Sequence, residues 1–263
     1  MFYFTQNQTK KHMPTIETID DVINTLKKII DEAITNKSTT GYFAALYLKV
    51  TEKVKEGISN NFFENGERME KLDVIFAKRY IEAYYNYQKN KPVTLSWEKA
   101  FSISDKYWPI VLQHLLIGMN AHINLDLGIA AAQVSEGKPI NDLKNDFNKI
   151  NTILASLVNE VENDLSKVWP FLKKILKYTH KIDNFLVNFS MELARNGAWK
   201  FATKVANTPK NEISEVINQR DIKVAKNASI IISPGLIPQI LFRFIRIGEK
   251  GSVKDKIDDL MQN

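Results

Sequence analysis

The chain of 263 residues is long enough to bury a large core, and its 44% hydrophobic and 25% charged residues are ordinary for a globular protein. It contains no cysteine, which excludes disulfides and thiolate metal sites. The formal net charge of +6 arises in the last third of the chain. Such a basic excess can indicate nucleic acid or a membrane surface, but exposed lysine-bearing helix faces explain it more simply, and we expect no nucleic-acid partner.

The first segment, residues 1–15, is predicted to be an N-terminal extension. It begins MFYFTQNQTKKHMP, which has too short an apolar run and no small-residue cleavage site for a signal peptide. The expected location is therefore the cytoplasm. Met13 offers an alternative start of translation.

From residue 16 onwards the dominant pattern is helical, because apolar residues recur every three or four positions. Alternating strand patterns are scarce, and ASIIIS at 228–233 is the only candidate. No repeat and no low-complexity linker divides the chain. The sequence predicts a single all-α domain over residues 16–263, with about seven to nine helices. The predicted helices include residues 16–35, 41–59, 66–88, 107–134, 141–163, 165–206 and 210–232.

The segment at about 107–134 carries a single formally charged side chain, that of Asp126. It is long enough to cross a bilayer, but its many other polar residues would be costly in hydrocarbon. A helix with so little charge on any face belongs in a protein core. We predict that the other helices pack around it. Its other polar residues include Gln113, His114, Asn120, His122, Asn124 and Gln133.

His122 and Asp126 are four residues apart, so an α-helix places them on one face. A buried carboxylate needs a partner, and it can fix the tautomer of a neighbouring histidine. The pair could therefore be a general base with its orienting group. It could equally be a buried hydrogen-bonded pair that holds helices together.

Two further residues of this predicted site lie in the helix at 66–88. Asp73 falls in the apolar stripe of that helix, and Arg79 could pair with a carboxylate across the core. The alternative for both is a salt bridge at the edge of the core. Met119 lies on the same face of the central helix as Asp126 and is a candidate ligand-binding residue together with Asp73 and Arg79.

The segment MELARNGAWKFATKVA places Arg195 beside a stripe of small residues. Trp199 follows one turn later, where guanidinium and indole could stack, so it is a further candidate ligand-binding residue. An arginine among small residues can bring its donors close to a carboxylate or an anion, and Asp126 is the expected internal partner. The alternative is an arginine whose stem is buried and whose head reaches solvent.

A metal site is not expected. His180 and Asp183 could be combined with His122 and Asp126 into a ligand set, but His180 shares a helix face with lysines. Two inward groups on one helix do not complete a zinc or iron site. No HExxH, Walker or GxSxG motif is present, and we predict no cofactor.

The tail at 236–250, LIPQILFRFIRIGEK, combines an apolar stripe with two arginines. It could lie on an anionic membrane surface. We expect instead that its apolar stripe, including Leu236, Ile240, Leu241, Phe244 and Ile245, packs on the protein's own core.

The order of these segments resembles an uncharacterised, mainly bacterial family of all-helical domains of unknown function. The resemblance runs from about Gly41 to Gly235 and is carried by GYFAALYLKVTEKV, MEKLDVIFAKRY, GMNAHINLDLG and ARNGAW. The third motif, the most specific, maps onto His122 and Asp126. In the last, an acidic residue is expected after Arg195, where this chain has Asn196. The resemblance implies the fold and the site but no reaction.

These patterns lead to two hypotheses. The first is a metal-independent enzyme acting on a small organic molecule, with His122 as acid and base, Asp126 as its orienting group and Arg195 as an anion stabiliser. The second is a non-catalytic helical module that binds a hydrophobic small molecule or a protein partner. A cavity that reaches the His122 ring would favour the first, and a filled core around the pair would favour the second.

Overall fold

A computed structural model of the protein describes residues 14–154 and 191–262, and in these ranges all regular elements are helical. The predicted all-α class is confirmed. A π-helical turn, His122–Asp126, joins α5 to α6, and a 3-10 turn at Ile140–Leu143 precedes a helical run at 144–154. The helices with defined bounds are α1 (Ile19–Thr35), α2 (Gly41–Ser59), α3 (Gly66–Gln88), α4 (Leu95–Phe101), α5 (Val111–Ala121), α6 (Leu127–Val134), α7 (Met191–Ala206), α8 (Ile213–Ile232), α9 (Leu236–Gly248) and α10 (Val253–Met261).

The described ranges thus hold ten bounded helices, somewhat more than the seven to nine expected. The difference arises because the π-helical turn divides the central helix and because α4 and α10 are short helices in segments whose pattern predicted none. The strand candidate at 228–233 is instead the last turn of α8 and the residue that caps it.

Helix α1 begins three residues later than predicted because Thr18 caps it. The Thr18 hydroxyl accepts a hydrogen bond from the Asp21 N–H, and the Asp21 carboxylate accepts one from the Thr18 N–H. This reciprocal pair satisfies two backbone donors that a helix start leaves without partners. The helix therefore begins at Ile19.

The central helix begins at Val111 rather than at 107. Trp108 precedes Pro109, and a residue before proline is disfavoured in the α conformation. Ile110 is extended, with ψ of 159°. The prediction was therefore wrong for the first four residues, and Tyr107 and Trp108 lie on the surface, 63% and 48% exposed.

From Val111 to Val134 the central helix lies inside the molecule, against α2, α3, α4, α7 and α8. It is the one helix of the described residues that is long and apolar enough to span a membrane, with mean hydropathy 1.3. However, 89% of its most apolar window is buried within the protein. Core helices share that composition.

The amide side chains of the central helix hold α8 in place. Gln113 Nε2 donates to the Ile231 carbonyl over 2.8 Å, and Asn120 Nδ2 donates to the Val224 carbonyl over 2.9 Å. Both bonds are buried, so each satisfies polar groups that would otherwise be costly.

Two glycines of the GMNAHINLDLG motif allow close packing around the central helix. A Cβ atom at Gly118 would lie 2.5 Å from the Phe43 ring of α2, and one at Gly128 would lie 2.6 Å from the Phe201 ring of α7. Both separations are too short for a side chain. Glycine at these two positions therefore allows α2 and α7 to pack closely against the central helix.

The tail helix α9 divides its apolar residues between two faces. Phe242 and Ile245 are buried in the main core, and Leu241 is half-buried against it. Leu236, Ile240 and Phe244 are 76%, 46% and 67% exposed. The prediction that the whole stripe packs on the core was wrong for these three, because they project from the opposite side of the helix.

Candidate functional site

The His122–Asp126 pair lies where the central helix is π-helical. The Leu127 N–H donates to the His122 carbonyl, five residues back, instead of closing an α-helical turn. Such turns insert one extra residue into a helix and occur frequently at functional sites. Both side chains are buried, with His122 2% exposed and Asp126 fully enclosed.

The Asp126 carboxylate is surrounded by three donors. Arg79 Nε reaches Oδ1 over 2.7 Å, Trp97 Nε1 reaches Oδ2 over 2.8 Å, and His122 Nδ1 lies 3.2 Å from Oδ2. Burial alone would raise the pKa of Asp126, but these partners, with Arg79 foremost, lower it below its ordinary value. The carboxylate is therefore ionised.

The same geometry fixes the protonation of His122. Burial lowers its pKa, and this effect outweighs the hydrogen bond to Asp126, which acts in the other direction. The imidazole is therefore neutral at physiological pH. Because an ionised carboxylate can only accept, Nδ1 carries the proton. Nε2 then holds a lone pair, and this buried atom has no hydrogen-bond partner.

Aromatic rings enclose the imidazole. Phe76 stacks on it with ring centroids 3.5 Å apart and planes 6° from parallel, and Tyr47 meets it edge-on at 4.5 Å. A cavity of about 20 Å³ beside Phe43 and Trp97 does not include His122 in its lining. Phe76 itself is only half-buried, so the imidazole lies one side chain below the surface.

Three further buried polar groups near this pair lack hydrogen-bond partners. They are the Tyr47 hydroxyl, the Tyr80 hydroxyl and Oδ2 of Asp73. Burial raises the pKa of Asp73 to about 7, assisted by the charge of Glu70. Burial is the main cause that raises the pKa of the Tyr47 hydroxyl, and the negative charges of Asp73 and then Asp126 raise it further. Tyr47 is therefore close enough to both carboxylates to sense their charge.

The structure brings three of the predicted site residues together, namely His122, Asp126 and Arg79. Trp97 was not predicted from the sequence, although its 2.8 Å hydrogen bond to Asp126 is shorter than the 3.2 Å contact of His122. A buried indole N–H usually finds an acceptor, which is the one signal in the sequence that could have suggested it. Nothing in the sequence selects Asp126 as that acceptor.

Arg195 does not pair with Asp126, and this expectation was wrong. Its Nη2 donates to the Phe147 carbonyl, and its guanidinium lies 4.7 Å from the centre of the Phe147 ring. The expected stacking partner, Trp199, contacts Phe147 and Lys144 instead, with the Lys144 ammonium 4.4 Å from its ring centre. Both oxygens of Asp126 are already occupied.

The remaining candidates are less closely tied to the pair. Met119 is half-buried and packs against buried apolar residues of the core. His180 and Asp183 lie outside the described residues. Within 14–154 and 191–262, no three histidine, aspartate or glutamate side chains lie close enough together to hold a metal ion.

The model of a family of unknown function, DUF5995, matches residues 19–234, which is most of the chain. That range includes the helices that bear His122, Asp126, Arg79 and Trp97. No curated protein and no solved structure matches the chain.

Proposed function

We propose that this chain, which belongs to the DUF5995 family, is a metal-independent enzyme that uses His122 as a general base on a small organic molecule. The observation that supports this most strongly is the unpaired lone pair on Nε2, opposite an Nδ1–H held by Asp126. A buried acceptor without a partner is costly. Such groups in native proteins often serve catalysis or an unseen ligand.

In the proposed reaction, Nε2 accepts a proton from the substrate or from a water molecule. The imidazolium that forms lies against the Asp126 carboxylate, which stabilises the new charge as it does in other histidine–carboxylate pairs. Arg79 and Trp97 keep that carboxylate ionised and oriented. The lowered pKa of His122 keeps the base unprotonated at neutral pH.

The proposal of a metal-independent reaction rests on ligand geometry. Nδ1 of His122 and both oxygens of Asp126 already have hydrogen-bond partners. Nε2 of His122 is therefore the one atom of the pair left to coordinate a metal ion. A catalytic zinc site uses three protein ligands.

The surroundings of Nε2 suit a small and largely uncharged substrate. Tyr47 and Phe76 present aromatic surface to the imidazole, and buried aromatic walls disfavour a charged group without a partner. Because Phe76, which stacks on the imidazole, is only half-buried, rotation of its side chain would open the His122 ring to solvent.

A second candidate is a non-catalytic module that binds a hydrophobic small molecule. The close packing of rings around His122, which is 2% exposed and does not line the cavity beside Phe43, favours it, since a filled core around the pair is what this candidate predicts. In that case the His122–Asp126 pair would hold the central helix to α3 and α4 without exchanging protons.

Nitrogen-15 NMR of histidine-labelled protein tests the choice, since the chain contains only four histidines. We expect His122 to show a protonated Nδ1, an unprotonated Nε2 and no titration near neutral pH. Enolisable carbonyl compounds, amides and alcohols are then added as fragments. A productive fragment should shift the Nε2 resonance of His122.

His114 is the matched control, because it is also buried, at 6% exposed, and burial lowers its pKa to about 3. Its nitrogen resonances should not respond to the same fragments, and His114→Gln identifies its signals. A protonated Nε2 on His122 would contradict the proposed base. Binding of purely apolar fragments with unchanged Nε2 would favour the second candidate.

A further inference from the structure

Arg195 is a buried cation, and no carboxylate of the described residues supplies it with a counter-ion. It is 3% exposed, and its Nε is buried without a hydrogen-bond partner. Its partner in the described parts of the chain is the neutral carbonyl of Phe147, and no carboxylate there forms an ion pair with it. Burial lowers the pKa of Arg195 to about 9. An unpaired buried charge is costly, so this guanidinium requires an anionic partner that the described residues do not supply.

A second cation lies beside the first. The Lys144 ammonium is 4.4 Å from the centre of the Trp199 ring and 5.9 Å from that of Phe147. Burial and the charge of Arg195 both lower the pKa of Lys144. The two cations therefore share one aromatic surface, and each makes the other less stable.

We propose that Arg195 and Lys144 form a binding site for the oxyanion of a small planar molecule. A guanidinium and an ammonium together suit a carboxylate or a phosphate. Trp199, which is half-buried and whose ring centre lies 5.0 Å from that of the buried Phe147, supplies apolar surface for a planar group next to that anion. The site is separate from the His122–Asp126 pair and does not depend on the function proposed for it.

Thermal denaturation of the full chain with benzoate, inorganic phosphate or chloride at equal ionic strength tests this site. A ligand at about a hundred times its Kd should raise the Tm by on the order of 5 °C. We expect benzoate to raise the Tm more than phosphate, because only benzoate contacts the rings. Chloride should have no effect beyond ionic strength.

Arg195→Met should abolish the rise and, in chloride, give a Tm above that of the wild type, since the unpaired charge is gone. Lys144→Gln, at a half-buried position that should tolerate it, should weaken benzoate binding severalfold. Arg220→Met is the matched control, because Arg220 also lies over a ring, Phe201, and donates to a backbone carbonyl. It should keep the full response.

An unchanged Tm of the wild type in both benzoate and phosphate would overturn the site. An equal rise in wild type and Arg195→Met would overturn it too, as would loss of the response in Arg220→Met alone. A larger effect of phosphate than of benzoate would overturn the role of the rings.

A different surface carries a second inference. The outward face of α9 presents Leu236, Ile240, Phe244 and Ile247, which are 46% to 76% exposed. At about 100° per residue these four lie within roughly 80° of one another around the helix. They form a continuous apolar stripe of a kind that usually marks an interaction site.

Aromatic and cationic residues border this stripe. The Arg243 guanidinium lies 5.3 Å from the ring centre of Trp108, and that of Arg246 lies 4.7 Å from the ring centre of Tyr107. Residues 222–248 contain lysines and arginines but no aspartate or glutamate. Exposed tryptophan and tyrosine beside basic residues are typical of proteins that contact lipid headgroups.

We infer that the stripe on α9 docks on an anionic lipid surface. The apolar side chains would enter the acyl boundary, Tyr107 and Trp108 would lie among the headgroups, and Arg243 would meet lipid phosphates and carboxylates. A protein partner is less well matched, because the carboxylate next to this border, that of Glu249, is buried in an ion pair with Arg246, and residues 222–248 contain no carboxylate that a mixed-charge surface could recognise.

Vesicle flotation of the full chain tests this docking, with phosphatidylcholine vesicles that contain or lack phosphatidylserine. We expect flotation with the anionic vesicles and a marked loss at high salt. The double variant Ile240→Gln/Phe244→Gln should weaken binding by on the order of tenfold or more, because two large side chains no longer enter the bilayer. Leu95→Gln, at a position 42% exposed on α4, should bind like the wild type.

Equal binding to neutral vesicles, or equal binding by the double variant, would overturn the inference. So would a wild-type dimer that the double variant dissociates, as measured by light scattering, because the stripe would then be a protein interface.

Discussion

Asp126→Ala is expected to destabilise the protein by on the order of 3–5 kcal/mol. The substitution removes the acceptor for Arg79, Trp97 and His122 at once. The guanidinium loses its counter-ion, and the indole N–H and the imidazole Nδ1–H become buried donors without partners, each of which is costly. Urea denaturation, followed by circular dichroism, measures the loss.

Asp20→Ala is the matched control, because Asp20 also pairs with a cation, Lys55, but its side chain is 62% exposed. Exposed pairs contribute little, so a change of less than about 1 kcal/mol is expected. The double variant Arg79→Met/Asp126→Ala should be less destabilised than the sum of its two single variants, since no orphaned charge remains. Additive losses, or a small loss in Asp126→Ala, would show that the carboxylate is not the centre of this network.

The sequence was sufficient to predict the pair at the centre of this network, because two independent features coincide there. The central segment has a single formal charge, so its carboxylate must be buried and must have partners. The spacing of His122 and Asp126 then supplies one partner by helix geometry. Arg79 could be proposed as another because it lies beside an apolar stripe of its own helix.

Contacts between distant helices could not be predicted in the same way. A helical wheel gives the direction of a side chain around its own axis but not the residue it meets. Arg195 was therefore assigned to Asp126, whereas α7 packs where Arg195 reaches Phe147. Trp97 approaches from α4, whose position relies on Asp221 of α8 accepting two backbone N–H groups at its start.

The π-helical turn at His122–Asp126 was also beyond prediction. No proline interrupts these five residues, and their apolar pattern fits an unbroken α-helix. The extra residue is accommodated because helices on every side fix the ends of α5 and α6. Local sequence therefore located the pair, while tertiary packing set its geometry.

The division of α9 into two apolar faces follows the same rule. The sequence indicates an apolar helix with two arginines, but only the packed structure separates Phe242 and Ile245 from Phe244. An inward stripe alone would have sufficed for the fold. The second stripe is extra apolar surface, which stability of the monomer does not require.

The last prediction concerns Asp73, whose pKa is raised from 3.8 to about 7 by burial and by Glu70. Between these two values the folded protein keeps a proton that the unfolded chain has lost. The folded state therefore binds more protons, and the contribution of Asp73 to the free energy of unfolding falls as pH rises through this window. With about 1.4 kcal/mol per unit of pKa, the full loss is on the order of 4 kcal/mol.

Asp73→Asn removes this loss, because asparagine has nearly the same shape and never ionises. We expect wild type and variant to have similar stability at about pH 4 and the variant to be more stable by on the order of 4 kcal/mol at about pH 8. The difference between the two urea-denaturation series isolates Asp73, since His114 and His122 affect both proteins alike. Glu70→Gln should recover only a small part of the gain, because burial is the larger cause. A carboxyl carbon-13 titration of Asp73 with a midpoint near 4 would refute the prediction. It would also mean that no protonated carboxyl group is available at neutral pH near Tyr47 and the His122–Asp126 pair.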